Sequence, residues 1–96
     1  MKEILTTEVF DQWFNTLKDP AAQDRIQIRI ERARWGNFGD HRSMGKGVTE
    51  MRIPYGPGYR IYYTVRGTRL VILLAGGNKS TQFNDIRMAQ DLARQF

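Results

Sequence analysis

The chain of 96 residues contains no cysteine and a single histidine, His41. The absence of cysteine excludes a disulfide-stapled fold, thiol catalysis and thiolate-bound zinc or iron–sulfur centres. One histidine cannot supply a site of several imidazole ligands, so neither a metal nor a cofactor is predicted. No stretch approaches the roughly 18 consecutive apolar residues of a membrane span, and the first ten residues lack the apolar core of a secretory signal. We therefore expect one cytoplasmic domain over residues 1–96, without a membrane partner.

Acidic residues are scarce in the middle of the chain, where positive charge is concentrated. The net charge is +5, and residues 25–70 hold ten of the fifteen basic residues but only three of the ten acidic ones. Nine of these ten basic residues are arginine, whose planar guanidinium suits two-pronged phosphate contacts. This block predicts a polyanionic partner such as nucleic acid. The alternative is a solvated surface whose charge only promotes solubility.

Two amphipathic helices are predicted at the start of the chain. Apolar and aromatic side chains recur at helical spacing over about residues 7–18, with Thr7 as the candidate N-cap. Asp19 and Pro20 then indicate a second N-cap with proline in the first turn, opening a helix that runs to about Trp35. Because the connection is so short, we expect a helical hairpin. One side of the second helix carries a basic stripe of Arg25, Arg29 and Arg32.

From Val48 onward the apolar spacing changes to the alternation of strands. Strands are predicted over 48–53, 60–66 and 70–74, loops over 40–47 and 76–79, and a last helix capped by Ser80 or Thr81. The order α-α-β-β-β-α predicts an α+β fold. In it the N-terminal helical hairpin packs on a small antiparallel sheet, and a C-terminal helix follows.

Alternation also assigns the strand side chains to two faces. The face expected to pack on the hairpin carries Met51, Ile53, Ile61, Tyr63 and Val65. The opposite face, expected to be open, carries Glu50, Arg52, Arg60, Tyr62 and Thr64. Basic loops flank this open face at Arg42, Lys46 and Lys79. A basic and aromatic sheet face of this kind can bind phosphates and stack bases, whereas the alternative is ordinary polar cover.

The remaining candidate chemistry depends on cations. The chain has no phosphate-binding glycine loop, no nucleophilic serine motif and no evident pair of catalytic carboxylates. Clustered arginine and lysine side chains can stabilise the charge that develops on a phosphate during phosphodiester cleavage. RNA supplies its own nucleophile, the 2′-hydroxyl, whereas DNA cleavage usually needs a metal and the acidic cluster that holds it. The residues therefore favour RNA as the substrate of any such reaction.

Two motifs carry a resemblance to a known family. They are GPGYR at residues 56–60 and GGNKSTQFNDI at residues 76–86. Residues 52–90 closely resemble the RelE/ParE toxin superfamily, in particular the HigB-like branch of addiction-module killer proteins. Residues 36–53 fit the same branch, so the resemblance covers nearly the whole chain. It implies the toxin of a type II toxin–antitoxin pair, in which the toxin cuts mRNA on the translating ribosome without a metal.

The resemblance also implies site residues and partners. By motif the catalytic residues are Arg60, Lys79 and Arg52. The predicted RNA- or ribosome-binding residues are Arg42, Lys46, Tyr62, Arg25, Arg29 and Arg32. The implied partners are the ribosome, mRNA and a cognate antitoxin, expected to be a small helix-turn-helix protein encoded nearby. Operator DNA is expected to be bound only through the antitoxin complex.

The sequence departs from the superfamily pattern in ways that leave alternatives open. Residues 49–51 are Thr-Glu-Met where related toxins place lysines, and no tyrosine follows Tyr63 to serve as the C-terminal catalytic tyrosine. The general base is consequently open, with His41 and Lys46 as candidates. The ParE side of the superfamily inhibits DNA gyrase, so a gyrase inhibitor is an alternative function. A second alternative is an inactive toxin homologue that acts only as antitoxin partner or co-repressor.

Overall fold

A five-stranded sheet with helices on both faces forms the structure, a computed structural model that describes residues 1–96. In chain order the elements are β1 (Glu3–Thr6), α1 (Glu8–Thr16), α2 (Pro20–Arg34), β2 (His41–Gly45), β3 (Val48–Ile53), β4 (Tyr59–Arg66), β5 (Leu70–Asn78), a 3₁₀ turn (Lys79–Thr81) and α3 (Gln82–Ala93). The strand order is β1-β5-β4-β3-β2. The α+β class is confirmed. No helix combines the length and the hydrophobicity that crossing a bilayer requires.

The two N-terminal helices begin at the residues that their capping signals predict. The Thr7 hydroxyl accepts a hydrogen bond from the backbone N–H of Phe10, and the Asp19 carboxylate accepts one from that of Ala21 at 2.9 Å. Each cap satisfies a backbone donor that a helix start leaves free. Pro20 occupies the first position of α2, where its missing N–H costs nothing. The predicted helical hairpin is therefore confirmed.

One face of the sheet packs on this hairpin through an apolar core. The buried members of the core are Phe10, Ile26, Ala33, Met51, Ile53, Ile61, Tyr63, Val71 and Leu73. Four of the five side chains assigned to this face by alternation lie in the core. The fifth, Val65, shares this face because it is opposite Val71 across β4–β5, but it is 38% exposed near the end of β4.

The opposite face of the sheet is covered by α3, which corrects the expectation that it is open. The buried residues of the apolar core between this face and α3 are Val48, Tyr62, Ile72, Leu74, Ala75, Ala89 and Ala93. Alternation placed Glu50, Tyr62 and Thr64 on the correct face but could not show what lies above it, and all three are buried. On α3 itself the aromatic side chain of Phe83 is exposed.

Two edge strands are absent from the sequence prediction. β1 pairs in parallel with β5, so the sheet is mixed and not wholly antiparallel. β2 lies inside the predicted loop 40–47 and pairs antiparallel with β3. Both strands are short and mostly exposed, so they lack the alternating apolar pattern that identifies a half-buried strand. The turn between β2 and β3 has positive φ at Gly45, Lys46 and Gly47, which suits two of its three residues.

β5 continues through two glycines that the sequence prediction assigned to a loop. A Cβ at Gly76 would collide with the Trp13 ring, and one at Gly77 would collide with the carboxylate of Asp85. The strand can therefore extend to Asn78 because α1 and α3 approach its backbone closely at these two positions. This extension carries Lys79 to the edge of the sheet where β3 ends and β4 begins.

Candidate active site

The three predicted catalytic cations line one pocket at the end of the sheet. The pocket has a volume of about 340 Å³ and is lined by Asp40, Arg52, Ile53, Pro54, Gly58, Tyr59, Arg60 and Lys79. Arg52 and Arg60 are direct partners across the antiparallel pair β3–β4, and Tyr59 is opposite Asn78 on β5. Side chains of directly opposed residues share a sheet face. Three separate segments of the chain thus deliver cations to one place.

Arg60 is held against the sheet by two contacts. Its Nη1 donates to the carbonyl oxygen of Gly58 at 2.7 Å, and its Nε lies 3.4 Å from Oε2 of Glu50. The side chain is 12% exposed and that of Glu50 is 0% exposed. Arg60 and Glu50 therefore form a buried ion pair between neighbouring strands. Nη2 makes no hydrogen bond within the protein and remains available to a ligand.

Glu50 accepts two hydrogen bonds beneath the pocket in addition to its ion pair. The hydroxyl of Tyr62 and the amide of Gln82 both donate to Oε2, at 3.1 Å and 2.8 Å. Burial, together with the neighbouring Glu50 charge, raises the pKa of Tyr62. Tyr62 is fully buried, so its prediction as a base-stacking RNA contact is wrong. The physical reason is that α3 covers the face on which alternation placed it.

Arg52 and Lys79 differ from Arg60 in how firmly they are held. Nη2 of Arg52 donates to Oδ1 of Asp40 at 3.0 Å, and both side chains are partly exposed. Lys79 is exposed and forms no ion pair. Its backbone is nevertheless ordered, because the Asn78 side chain caps the following turn by accepting from the backbone N–H of Ser80. The pocket thus combines the buried guanidinium of Arg60, the partly exposed, ion-paired guanidinium of Arg52 and the exposed, unpaired ammonium of Lys79.

Comparison with known proteins assigns the chain to a family. Residues 12–94 match the model of the family described as "Phage derived protein Gp49-like (DUF891)". The chain belongs to the Gp49-like family. A Haemophilus influenzae protein named only as uncharacterized is 47% identical over 94 residues, covering 98% of this chain and 95% of its own length. The Gp49-like family is associated with toxin–antitoxin modules, which agrees in part with the resemblance noted from the motifs.

The basic stripe of α2 lies beside the pocket of this Gp49-like protein, with a different role for each arginine. Arg29 donates to the carbonyl oxygens of Arg52, Phe38 and Asp40 at 2.6–3.3 Å. Burial lowers the pKa of Arg29, and the charge of Asp40 opposes that shift. Its guanidinium is therefore occupied in holding the strand ends, and its assignment as an RNA contact stays a prediction.

The other two arginines of the stripe are exposed. Arg25 lies over the Tyr55 ring, with its guanidinium carbon 4.5 Å from the ring centroid. Arg32 forms no ion pair or hydrogen bond through its side chain. With Ile28, Arg29, Ile53 and Pro54 they line a second pocket of about 270 Å³. Because Ile53 and Pro54 also line the first pocket, the two pockets adjoin.

Arg42 and Lys46 are exposed but do not line the pocket that contains Arg52, Arg60 and Lys79. Arg42 lies on the edge strand β2 opposite Glu50. Lys46 lies in the β2–β3 turn, six positions along the chain from Arg52 and so about 20 Å away along the strand. His41, a candidate base, bonds the Gly39 carbonyl through Nδ1 at 2.8 Å and also lies outside the pocket lining.

Two pocket residues with polar side chains were not among the predicted site residues. Asp40 is the only carboxylate in the lining, and Tyr59 lies between Gly58 and Arg60. Tyr59 had a local signal, since it belongs to the GPGYR motif. Asp40 had none, because the residue sits before an edge strand that the sequence pattern does not reveal. The backbone N–H of Arg52 donates to the Asp40 carbonyl at 2.9 Å, which fixes this acid at the pocket rim.

Proposed function

We propose that this chain is the toxin of a type II toxin–antitoxin pair and that it cleaves mRNA on the translating ribosome. The observation that carries the proposal is the convergence of Arg52, Arg60 and Lys79 on one pocket. Three cations around a space of this size suit a phosphodiester whose charge grows during cleavage. The association of the Gp49-like family with toxin–antitoxin modules supports the biological role. Ribosomes and mRNA as targets imply action in the cytoplasm.

In the proposed reaction the substrate supplies the nucleophile. The 2′-oxygen of the RNA attacks the adjacent phosphorus, the bond to the 5′-oxygen of the next nucleotide breaks, and a 2′,3′-cyclic phosphate forms. Asp40, the pocket's carboxylate, takes the proton of the 2′-hydroxyl, and Lys79 gives a proton to the departing 5′-oxygen. Arg60 and Arg52 bind the non-bridging phosphate oxygens, whose negative charge increases in the transition state.

The second pocket provides a path for the RNA strand beyond the scissile phosphate. It adjoins the catalytic pocket at Ile53 and Pro54 and exposes the guanidinium groups of Arg25 and Arg32. Phosphate contacts of this kind give affinity and register without reading the base sequence. We propose that Arg25 and Arg32 bind phosphates of mRNA or ribosomal RNA, and that Arg42 and Lys46 make ribosome contacts away from the pocket.

An antitoxin would act by covering this basic surface. Charge complementarity between an acidic antitoxin segment and residues 25–70 would speed association and mask the catalytic pocket. Operator DNA would then be bound by the helix-turn-helix antitoxin in the complex and not by this chain alone. A structure of the complex with the pocket exposed and the activity still blocked would show that masking is not the mechanism.

Arg60 provides the decisive test of the proposed function. Arg60→Ala should reduce cleavage of mRNA on purified ribosomes by the equivalent of about 2–4 kcal/mol in transition-state stabilisation, as expected for one preorganised charged donor. Arg60→Lys should recover little, since the donors of an ammonium share one nitrogen and cannot reproduce the planar fork that bonds Gly58 and also presents two spaced donors to a phosphate. Arg69→Ala, an exposed arginine in the β4–β5 turn, is the matched control and should cleave at nearly the parent rate.

The folded fraction and the cellular effect complete that experiment. Thermal melts are needed because removing Arg60 leaves the buried Glu50 without its ion-pair partner. Expression without antitoxin should stop growth and leave mRNA cut within coding frames. A folded Arg60→Ala protein that cleaves at the parent rate would remove Arg60 from the site. Intact mRNA together with trapped gyrase–DNA complexes would instead support the gyrase alternative.

A further inference from the structure

We propose that Glu50 is a positioning residue that fixes the guanidinium of Arg60 for phosphate binding. The proposal rests on the proposed function, because it assigns Arg60 to the catalytic pocket. Glu50 does not line that pocket and is fully buried, so it cannot touch the substrate. Its effect on any reaction must therefore pass through a residue that does line the pocket, and Arg60 is the pocket residue within 4 Å of its carboxylate.

Two hydrogen-bond donors and one guanidinium, from two different elements, converge on one oxygen of Glu50. Arg60 and Tyr62 come from β4 and Gln82 is the first residue of α3, while Glu50 itself lies in the middle of β3. All three contacts reach Oε2, the one from Arg60 Nε as an ion pair at 3.4 Å without a hydrogen bond, and Oε1 has no hydrogen-bond partner. A buried carboxylate is costly to keep unless such donors satisfy it. The two neutral donors therefore hold the carboxylate in one orientation, and that orientation sets where its charge meets Arg60.

The consequence for Arg60 is a guanidinium held on one side and free on the other. Glu50 attracts the Nε side and the Gly58 carbonyl takes one Nη1 hydrogen. Nη2 and the second Nη1 hydrogen remain, and these form the outer edge of the fork that a phosphate accepts. Long arginine side chains lose considerable rotamer entropy when they bind, so fixing Arg60 in advance lowers the cost of phosphate binding.

The other charged or buried polar side chains near Glu50, namely Arg42, Asp85 and Thr64, form no hydrogen bond or ion pair with Glu50 or Arg60. Arg42 is opposite Glu50 on β2 but makes no hydrogen bond or ion pair with it. Asp85 lies under Gly77, the β5 residue opposite Arg60, but its carboxylate accepts from the Thr81 hydroxyl. Thr64 is the other buried polar side chain of the face, and it accepts from Arg66 near the opposite end of β4. Thr64 therefore provides a matched control for Glu50.

The test combines a double-mutant cycle, measured as the Kd for RNA, with an NMR signal from the Arg60 side chain. The probe is a short RNA that carries a single 2′-deoxy nucleotide at the cleavage position, so that it binds without being cut. Glu50→Gln should weaken its binding about 10- to 100-fold in the parent protein, as expected for a displaced positioning contact. In the Arg60→Ala background the same substitution should change the Kd little. Thr64→Val should leave the Kd of the parent unchanged.

The NMR signal of the Arg60 Nε–H, assigned from its loss in Arg60→Lys, reports the contact without any RNA. It should shift and broaden in Glu50→Gln. An unchanged signal would overturn the proposal even if binding fell, and equal losses of affinity in both backgrounds would show that Glu50 serves only the fold. If Glu50→Gln does not fold, Glu50→Asp replaces it, because this variant draws the carboxylate back by one methylene. Glu50→Asp must then shift the Arg60 Nε–H signal and must weaken RNA binding in the parent but not in the Arg60→Ala background.

These readouts separate the proposal from the proposed function. Were Arg60→Ala to bind and cleave RNA like the parent, the catalytic assignment of Arg60 would fail. The Nε–H signal would still show whether Glu50 fixes the guanidinium. Conversely, Arg60→Ala could lose cleavage as expected while the Arg60 Nε–H signal stays unchanged in Glu50→Gln. That result would retain the proposed function and reject the role of Glu50.

Discussion

The two faces of the sheet are buried by different chemistry. Under α1 and α2 the buried side chains are apolar or aromatic. Under α3 the sheet buries Glu50 and Thr64 among apolar neighbours and holds Arg60 close by. An apolar face gains stability from the area it removes from water, with little demand on geometry. A buried ionic group gains little net stability but demands a defined arrangement of donors.

This difference assigns separate tasks to the two faces. The hairpin face supplies hydrophobic stabilisation alone, whereas the α3 face combines an apolar core with fixed polar geometry next to the pocket. The position of the polar network supports this division, because the Glu50–Tyr62 pair lies two strand positions from the Arg52–Arg60 pair and is the next pair on the same face. If the division holds, substitutions on the hairpin face should reduce stability, and those on the α3 face should also change the behaviour of Arg60.

Ile61→Ala on the hairpin face should have the largest effect on stability. Ile61 is fully buried in the apolar core. Truncation removes buried methyl groups and leaves a cavity, which costs about 2–5 kcal/mol in the free energy of unfolding. Urea unfolding followed by circular dichroism measures the loss. The folded fraction of Ile61→Ala should still give the parent's Arg60 Nε–H signal. A shifted signal would show that a substitution on the hairpin face also changes the α3 face.

Tyr62→Phe on the α3 face should destabilise less and disturb the site more. The substitution removes one donor from the Glu50 carboxylate while it retains the buried ring. A hydrogen bond to a charged group contributes about 1.5–3 kcal/mol, so the unfolding free energy should fall by an amount in that range. The Arg60 Nε–H signal should shift in the same direction as in Glu50→Gln. Parent-like stability and an unmoved signal would show that this hydroxyl does not hold Glu50.

Arg29 and Arg32 test whether the hairpin side contributes polar anchoring as well. Arg29→Ala removes donors to three carbonyl oxygens at the strand ends and should cost about 1–2 kcal/mol of stability. Arg32→Ala should leave stability within about 0.5 kcal/mol, since this side chain is exposed and unpaired. For binding of the uncleavable RNA, Arg32→Ala should lower the dependence of Kd on salt. The reverse pattern would exchange the roles of the two arginines.

Asp85→Asn should give the smallest effect, visible as a dependence on pH. Burial raises the pKa of Asp85 above its ordinary value of 3.8, while the Thr81 hydroxyl opposes the shift. The folded state therefore holds this proton more tightly than the unfolded state, and the contribution of Asp85 to stability falls as pH rises through the raised pKa. As the pH rises from about 3 to about 7, the melting temperature of Asp85→Asn should therefore increase relative to that of the parent. A difference that is constant with pH would contradict the assignment.

Local signals in the sequence were sufficient for the helices and for the faces of the central strands. Thr7 and Asp19 predicted both helix starts because capping depends only on neighbouring backbone groups. Alternation placed Ile61 and Tyr62 on opposite faces because the period of a strand is fixed by its backbone. The motif that contains Arg60 and the one that contains Lys79 also indicated the residues that line the pocket.

The tertiary structure decided what each face meets and which residues become neighbours. The cover of α3 over Tyr62, the parallel pairing of β1 with β5 and the approach of Asp40 to Arg52 all involve residues distant in sequence. No local pattern encodes such contacts, because they depend on how whole elements pack. Glu50 shows the consequence most clearly. Its type and its face followed from the sequence, but its burial beneath Arg60 depends on the docking of α3.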